Sequence, residues 1–341
     1  MRPFNYERAA DIAQASSSGR ETGQGQTDAP VQFLAGGTTV IDLMKLDVLR
    51  PRRLIDLAPL RAGFGAIEAI ADGLRLGALA RMSEAAAHPA ILHDYPVIAQ
   101  SLQLAASAQL RNMATLGGNV LQRTRCPYYR DPSWDACNKR NPGSGCAAIQ
   151  GFNRQHAVLG VDDSCIAQYP GDFGVALAAL GAEVELSGPE RPRLIAFEDL
   201  HRPAEGKPHI ENTLRPGELI TGFRVPAGPW TRRSVYLKIR DRASYEFALA
   251  SAAVALDLDG DVVRAARIGL GGMAYRPWRS HEAEAALVGK PLTEDTAKAA
   301  ARLALAAAVT HSDNRYKPEL GRRTLVRALM QAKAMELKDV G

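Results

Sequence analysis

The sequence predicts an α+β protein built from two units that meet near residue 229. The chain has 341 residues, more than one hydrophobic core usually serves. Before residue 229, strand-like runs are grouped with helical runs instead of alternating strictly with them, which favours α+β units. After it, apolar runs surround the turn sequence LDGDV at 258–262 and then give way to an Ala-rich helical tail.

The elements of the first unit follow from local patterns. Residues 31–46 (VQFLAGGTTVIDLMKL) predict a short strand, a glycine turn and a helix. Further predicted elements are strands at 53–60, 74–83 and 217–228, a helical stretch at 83–112 interrupted near Pro89 and Pro96, and a helix, a glycine break and a strand at 172–188. The polar, Gly-rich segment 16–30 lacks periodicity and predicts a surface loop or a disordered insertion.

Composition excludes several classes of protein. Hydrophobic residues make up 46% and charged residues 23%, and no apolar run approaches the roughly 18 residues of a membrane span. The N-terminus lacks the features of a secretory signal, so we expect assembly in the cytoplasm, with export to the periplasm only alongside a signal-bearing partner. The net charge of +5 is spread along the chain, which favours docking to an acidic protein over nucleic-acid binding.

Two glycine turns are candidate ligand sites. The first glycine turn, Gly36-Gly37-Thr38-Thr39, lies between a predicted strand and a predicted helix, and the second, Thr115 to Asn119, repeats the combination of Thr and Gly-Gly. Glycine allows close approach of a ligand to the backbone, and turn amides next to a helix start attract anions. Neither turn matches a dinucleotide-binding or P-loop motif, and the alternative is that each is only a tight turn.

All four cysteines lie in one Gly/Pro-rich stretch, residues 124–170, here called the cysteine segment. The spacing is Cys126-x10-Cys137-x8-Cys146-x18-Cys165. Disulfides fit poorly with the expected reducing compartment, and zinc usually uses Cys-x2–4-Cys pairs, although His156 is a candidate substitute ligand. An iron–sulfur cluster with four thiolates, offset by neighbouring Arg and Lys, is a third option. Spacing alone leaves zinc, a cluster and unliganded thiols open.

Four stretches carry a family resemblance: FLAGGTTVIDLMKL, QLRNMATLGGNVLQRTRCPYYRD, CNKRNPGSGCAAIQGFNRQHAVLG and KIRDRASYEFALASAAVAL. They resemble the FAD-binding subunits of bacterial molybdenum hydroxylases, in the xanthine dehydrogenase family, and most of all the FAD and iron–sulfur subunit of the periplasmic aldehyde oxidoreductase type. The resemblance implies a two-subdomain FAD-binding fold of the vanillyl-alcohol-oxidase (PCMH) type at 1–228, with an iron–sulfur insertion at about 124–170. It implies a C-terminal α+β domain like that of carbon monoxide dehydrogenase flavoproteins at 229–341.

The resemblance also implies site residues. Those implied to bind FAD are Gln32, Phe33, Leu34, Ala35, Gly36, Gly37, Thr38, Thr39, Val40, Thr115, Leu116, Gly117, Gly118, Asn119, Asp172, Ile220 and Lys238. Those implied to hold a [4Fe–4S] cluster are Cys126, Cys137, Cys146 and Cys165. Lys238 is a candidate to stabilise a reduced flavin ring, and Tyr245 is a candidate to control access to it. No general base or nucleophile is assigned.

The implied function is that of the electron-transfer subunit in a heterotrimeric aldehyde oxidoreductase. The implied partners are a large molybdenum-cofactor subunit, a small [2Fe–2S] subunit and an external acceptor such as ferredoxin or quinone. NAD is not expected as acceptor, because Tyr245 and Glu246 stand where some NAD-reducing relatives carry two acidic residues. The alternatives are a zinc-stapled, non-catalytic assembly protein with a flavin fold and a stand-alone flavin reductase.

Overall fold

The computed structural model describes residues 1–23 and 25–337, and three sheets organise them. The first sheet is parallel, in the order β1-β3-β2. Its strands and the helices that connect them are β1 (Asn5–Arg8), α1 (Ile12–Ser18), β2 (Val31–Leu34), α2 (Val40–Lys45), β3 (Arg53–Asp56) and α3 (Arg61–Phe64). Helix α2 is the crossover that allows β2 and β3 to run parallel.

The second sheet is antiparallel and has the order β4-β5-β8-β6-β7. Its strands are β4 (Ile67–Ile70), β5 (Gly73–Gly77), β6 (Glu183–Ser187), β7 (Arg193–Ala196) and β8 (Leu219–Pro226). Its helices are α4 (Met82–Ala87), α5 (Pro89–Asp94), α6 (Pro96–Gln103), α7 (Ala108–Met113), α8 (Leu116–Val120) and α11 (Asp172–Leu180). Every residue of α11 is buried, and Phe173 meets Phe223 of β8 edge-on at 5.9 Å, so this helix is central to the core.

The cysteine segment is inserted between α8 and α11. It contains only two short helices, α9 (Pro127–Arg130) and α10 (Ala147–Gln150), and is otherwise irregular. Several of its residues are nevertheless buried, including Tyr129 and Asn153. Buried irregular backbone needs hydrogen-bond partners other than a helix or a sheet, and here polar side chains provide many of them.

The third sheet is antiparallel in the order β12-β11-β10-β9 and carries helices that cover it. The elements are β9 (Ser234–Ile239), β10 (Ala250–Asp259), β11 (Val262–Gly271), β12 (Trp278–Arg279), α12 (His281–Leu287), α13 (Glu294–Ala304) and α14 (Lys317–Lys333). Two 3-10 turns, Ala58–Leu60 and Phe197–Asp199, complete the regular structure of the described residues. Within the described part of the chain, no helix has the length and apolarity needed to cross a membrane.

The structure confirms the α+β prediction and several local ones. The strand, turn and helix predicted at 31–46 are present, the helical stretch breaks at Pro89 and Pro96, and the LDGDV turn joins β10 to β11. The second glycine turn was predicted wrongly as a turn. Its glycines lie inside α8, because the Thr115 hydroxyl accepts a hydrogen bond from the Gly118 amide at 3.2 Å and starts a helix.

Candidate functional site

A cavity of about 540 Å³, here called the large cavity, lies where the first glycine turn meets α8, the start of β8 and the two ends of the cysteine segment. Its volume is in the range of ligand-binding pockets. It brings together most of the residues predicted to bind a cofactor: Gln32, Phe33, Ala35, Gly36, Gly37, Thr38, Thr39, Val40, Thr115, Gly117, Gly118 and Ile220. The two glycine turns are far apart in sequence and meet only in the fold.

The first glycine turn depends on its two glycines. A Cβ on Gly36 would lie 2.0 Å from the carbonyl oxygen of Met113, so only glycine allows the turn to pack against the end of α7. Gly37 has a φ of +74°, a conformation that other residues rarely adopt. The backbone amides of Thr38 and Thr39 have no acceptor among the described residues. These amides and the two threonine hydroxyls together suit an anionic ligand.

Five of the predicted contacts do not line the large cavity. These are Leu34, Leu116, Asn119, Asp172 and Lys238, all of which are buried or half-buried. The Oδ1 atom of Asn119 is buried and has no partner within the described residues. The assignment of these residues as flavin contacts stays a prediction.

Asp172 and Lys238 form a buried ion pair. The Lys238 ammonium donates to the Asp172 carboxylate at 2.8 Å and to the Leu104 carbonyl at 3.1 Å. Burial raises the pKa of Asp172, although Lys238 and the Tyr236 hydroxyl at 2.7 Å oppose this effect. Asp172 and Lys238, both predicted to contact the cofactor, therefore bind each other in the structure, and their ion pair joins α11 to β9.

Tyr245 lies on an exposed loop. Its side chain is 56% exposed, its φ is +53°, and its ring stacks against the guanidinium of Arg242 at 5.7 Å. It does not line the large cavity. A tyrosine in left-handed backbone conformation is strained. Its predicted role in access to a flavin remains a prediction.

Sequence reasoning missed many of the residues that line the large cavity, and a loop and a histidine are examples. Part of the segment predicted as a loop or disordered insertion lines it, from Gly19 to Ala29, although Gln24 lies outside the described residues. Gln26 anchors this part, since its carbonyl accepts from Arg123 at 2.6 Å and its side chain donates to Asn212 at 2.7 Å. A polar segment without periodicity carries no signal that it covers a cavity.

His201 is the second example of a missed contributor. Its Nε2 lies 2.9 Å from the Val120 carbonyl oxygen, so Nε2 carries the proton and Nδ1 is an acceptor. Nδ1 is buried and has no donor among the described residues. Burial lowers the pKa of His201 to about 4, so the ring is neutral at physiological pH. His201 lines the large cavity, but its Nδ1 atom is not itself accessible from that cavity.

All four cysteines line a second, smaller cavity, here called the cysteine cavity. None forms a disulfide. Cys146 and Cys165 share a hydrogen bond, which lowers the pKa of Cys146 to about 6 and raises that of Cys165. Burial raises the pKa of Cys126 to about 12 and also raises that of Cys137. A metal centre would therefore have to displace protons from most of these thiols.

The geometry of the cysteine cavity disfavours zinc. A zinc ion holds its thiolates at about 2.3 Å, which requires the sulfurs to converge closely on one point. Within residues 1–23 and 25–337, no group of three His, Cys, Asp or Glu side chains is arranged to hold one metal ion. His156, the candidate substitute ligand, does not line the cysteine cavity, although its Nε2 lies 3.2 Å from the Cys126 sulfur.

The fold and the large cavity define a candidate cofactor-binding protein in which two glycine pairs, distant in sequence, line one cavity. Two family models match the chain: the FAD binding domain in molybdopterin dehydrogenase over residues 2–228, and the CO dehydrogenase flavoprotein C-terminal domain over residues 235–336. The chain belongs to the family of FAD-binding subunits of molybdenum hydroxylases. The predicted fold class is thereby confirmed.

Individual relatives agree with this assignment. The chain is 44% identical over 336 residues to the aldehyde oxidoreductase FAD-binding subunit PaoB of Escherichia coli, covering 98% of this chain and 99% of that protein. It is 28% identical to the carbon monoxide dehydrogenase medium chain of Afipia carboxidovorans, covering 97% of each. A solved Cu,Mo-CO dehydrogenase superposes with a TM-score of 0.75 at 27% identity, over 98% of this chain and 99% of that one. These relatives are subunits of oxidoreductases.

The residues of the large cavity fit FAD. The first glycine turn offers free amides and hydroxyls suited to a pyrophosphate. The cysteine cavity is a separate matter, because neither family model nor the names of these relatives mention an iron–sulfur cluster.

Proposed function

We propose that this chain is the FAD- and [4Fe–4S]-containing electron-transfer subunit of a heterotrimeric, molybdenum-dependent aldehyde oxidoreductase. The observation that carries the proposal is the 44% identity, along 98% of the chain, to a FAD-binding subunit of an aldehyde oxidoreductase. In this role aldehyde chemistry belongs to a large molybdenum-cofactor subunit. The present chain acts between the [2Fe–2S] clusters of a small subunit and an acceptor such as ferredoxin or quinone.

In this proposal the large cavity holds FAD, which takes up electrons singly and releases them singly or in pairs. The first glycine turn binds its anionic part through the amides and hydroxyls of Thr38 and Thr39. The neutral His201 ring forms part of the cavity wall. The Asp172–Lys238 pair holds α11 to β9.

The cysteine cavity supports the cluster part of the proposal. Its four cysteines surround one space, and their arrangement does not suit a single ion within the described residues. Cationic residues in the same segment would offset the charge of a cluster held by four thiolates. Export to the periplasm with a signal-bearing partner completes the proposal.

The test is purification of the chain with its co-expressed partners, followed by flavin, iron, sulfide, zinc and molybdenum analysis and by subunit composition. We expect one FAD per three-subunit complex and about four iron atoms beyond those of the small subunit's [2Fe–2S] clusters, in keeping with four thiolate ligands. A colourless chain that holds zinc would establish the assembly-protein alternative. A flavin-containing chain that purifies without partners and reduces its own substrate would establish the reductase alternative.

A substitution then separates a relay from a structural cluster. Cys137→Ser removes one ligand of the proposed cluster. A soluble, FAD-loaded trimer with normal turnover would rule out a relay, whereas loss of soluble protein would favour a structural role. Normal solubility with reduced turnover is the result that we expect for a relay.

A further inference from the structure

The large cavity and the cysteine cavity share part of one wall. Among the residues that line the cysteine cavity, Lys139 and Ala167 also line the large cavity. Ala167 is apolar, so Lys139 supplies the charge in this shared wall. It lies between Cys137 and Cys146 in the chain, and its side chain is only 5% exposed.

Lys139 is held rigidly in that wall. Its ammonium donates to the Glu211 carboxylate at 2.7 Å, to the Tyr275 hydroxyl at 2.9 Å and to the Pro208 carbonyl at 3.2 Å. Three partners satisfy the three donors of an ammonium group. The partners come from outside the cysteine segment, so the contact also fixes that segment against the rest of the molecule.

Lys139, Glu211 and Arg123 together carry one net positive charge, and Asp28 also acts on Arg123. The second oxygen of Glu211 pairs with Arg123 at 2.9 Å, so one carboxylate lies between two cations. Burial would raise the pKa of Glu211, but the charges of Arg123 and Lys139 outweigh it and hold the pKa below its usual value. Charges in such a buried position are screened far less than charges in water.

We propose that Lys139 is a positioning residue whose charge raises the reduction potentials of the groups in both cavities, an inference that rests on the proposed function. A group that gains an electron becomes more negative, and a fixed cation beside it stabilises that reduced form. Net charge nearby is an established determinant of iron–sulfur potentials. The same electrostatics act on a flavin across the shared wall.

The chain offers a matched control. Asp42 lies between Arg125 at 3.0 Å and Arg130 at 2.9 Å, a second carboxylate held between two cations. None of these three residues lines either cavity. Arg130→Met and Lys139→Met therefore each remove one cation and leave the carboxylate paired with the other.

The test is a redox titration of the purified complex, with electron paramagnetic resonance for the iron–sulfur centre and visible absorbance for the FAD. We expect Lys139→Met to lower both potentials. We expect Glu211→Gln, which adds net positive charge to the wall, to raise both. Arg130→Met should leave the FAD potential unchanged.

An unchanged FAD potential in Lys139→Met would overturn the inference, as would a shift in the same direction in Glu211→Gln. If Lys139→Met does not fold, the rise expected in Glu211→Gln decides the question. A wild-type complex that holds FAD but no iron beyond the small subunit's clusters would contradict the proposed [4Fe–4S] cluster and leave only the FAD part of this inference. In that case opposite shifts of the FAD potential in the two variants would still support the role of Lys139, and unchanged values would refute it.

Discussion

The large cavity and the cysteine cavity are neighbours that are built in opposite ways. The glycine turns of the large cavity sit at the ends of regular elements, between β2 and α2 and at the start of α8. The cysteine cavity lies in a segment whose only helices, in its described residues, have four residues each. Backbone hydrogen bonding therefore shapes the first, and side chains must shape the second.

Arg140 illustrates how the cysteine segment is held. Its guanidinium donates to the carbonyls of Tyr128 and Tyr129, each at 2.7 Å, and to that of Trp134. Asn153 donates from its side chain to the carbonyls of Ala148 and Gly151. The large cavity is therefore preformed by sheets and helices. The cysteine cavity depends on a few polar side chains and on the metal centre proposed for it.

The largest effect should come from Gly36→Ala, which disrupts the first glycine turn of the large cavity. The new Cβ would lie 2.0 Å from the Met113 carbonyl oxygen and 2.9 Å from the Ala114 Cα, so backbone must move. We expect FAD affinity to fall by about 3 kcal/mol, or about 150-fold. FAD content and fluorescence titration measure this. Gly63→Ala is the control, because a Cβ there meets nothing within 4 Å. Full FAD content in Gly36→Ala would contradict the prediction.

Arg140→Met should disrupt the cysteine segment. Three carbonyl groups lose their donor, for which we expect a loss of about 2–3 kcal/mol in the stability of the cysteine segment. The measurement is iron and FAD content per chain, with the exposed Arg191→Met as control. We expect iron to fall while FAD is retained. Loss of both cofactors together would show that the two regions do not fold independently.

Lys317 tests the junction between the cysteine segment and the C-terminal unit. Its buried Nζ lies 2.7–3.0 Å from four acceptors, which are the carbonyls of Gln155, His156 and Gly272 and the side-chain oxygen of Gln168. Burial lowers its pKa from 10.5 to about 7. Between about pH 7 and pH 10.5, Lys317 is protonated in the unfolded chain and deprotonated in the folded one. The free energy of unfolding should therefore rise with pH, by at most about 1.4 kcal/mol per pH unit.

Chemical unfolding at pH 7, 8 and 9 measures this slope. We expect Lys317→Met to remove it and the exposed Lys298→Met to keep it. An equal slope in the wild type and in Lys317→Met would mean that another group titrates in this range.

The smallest effect should come from Tyr245→Gly. Relief of the strained backbone at φ +53° should raise the unfolding free energy by about 1 kcal/mol. Loss of the ring contact with Arg242 should lower it by about 0.5 kcal/mol. We expect the unfolding free energy to change by less than about 1 kcal/mol, with unchanged FAD content. A changed rate of FAD reoxidation by a small acceptor, at unchanged content, would support the predicted role of Tyr245 in access.

Much of the site was predictable from local sequence. Gly36-Gly37 between an apolar strand and an amphipathic helix is a local signal, and the cysteine cluster is visible in the bare sequence. The roles of His201 and of the loop from Gly19 to Ala29 were not predictable. The sequence around an isolated histidine or a polar loop does not indicate that it lines a cavity, because the other walls come from distant parts of the chain.

The sequence by itself determined the α+β class, the first glycine turn and the confinement of all four thiols to one segment, because these are properties of neighbours along the chain. Only the tertiary structure decided that Asp172 pairs with Lys238 and that Lys139 stands in the wall between two cavities. The physical reason is that burial and Coulomb attraction act between groups that are close in space, however far apart they are in sequence. Lys238 and Asp172 are 66 residues apart, and Lys139 and Glu211 are 72 residues apart.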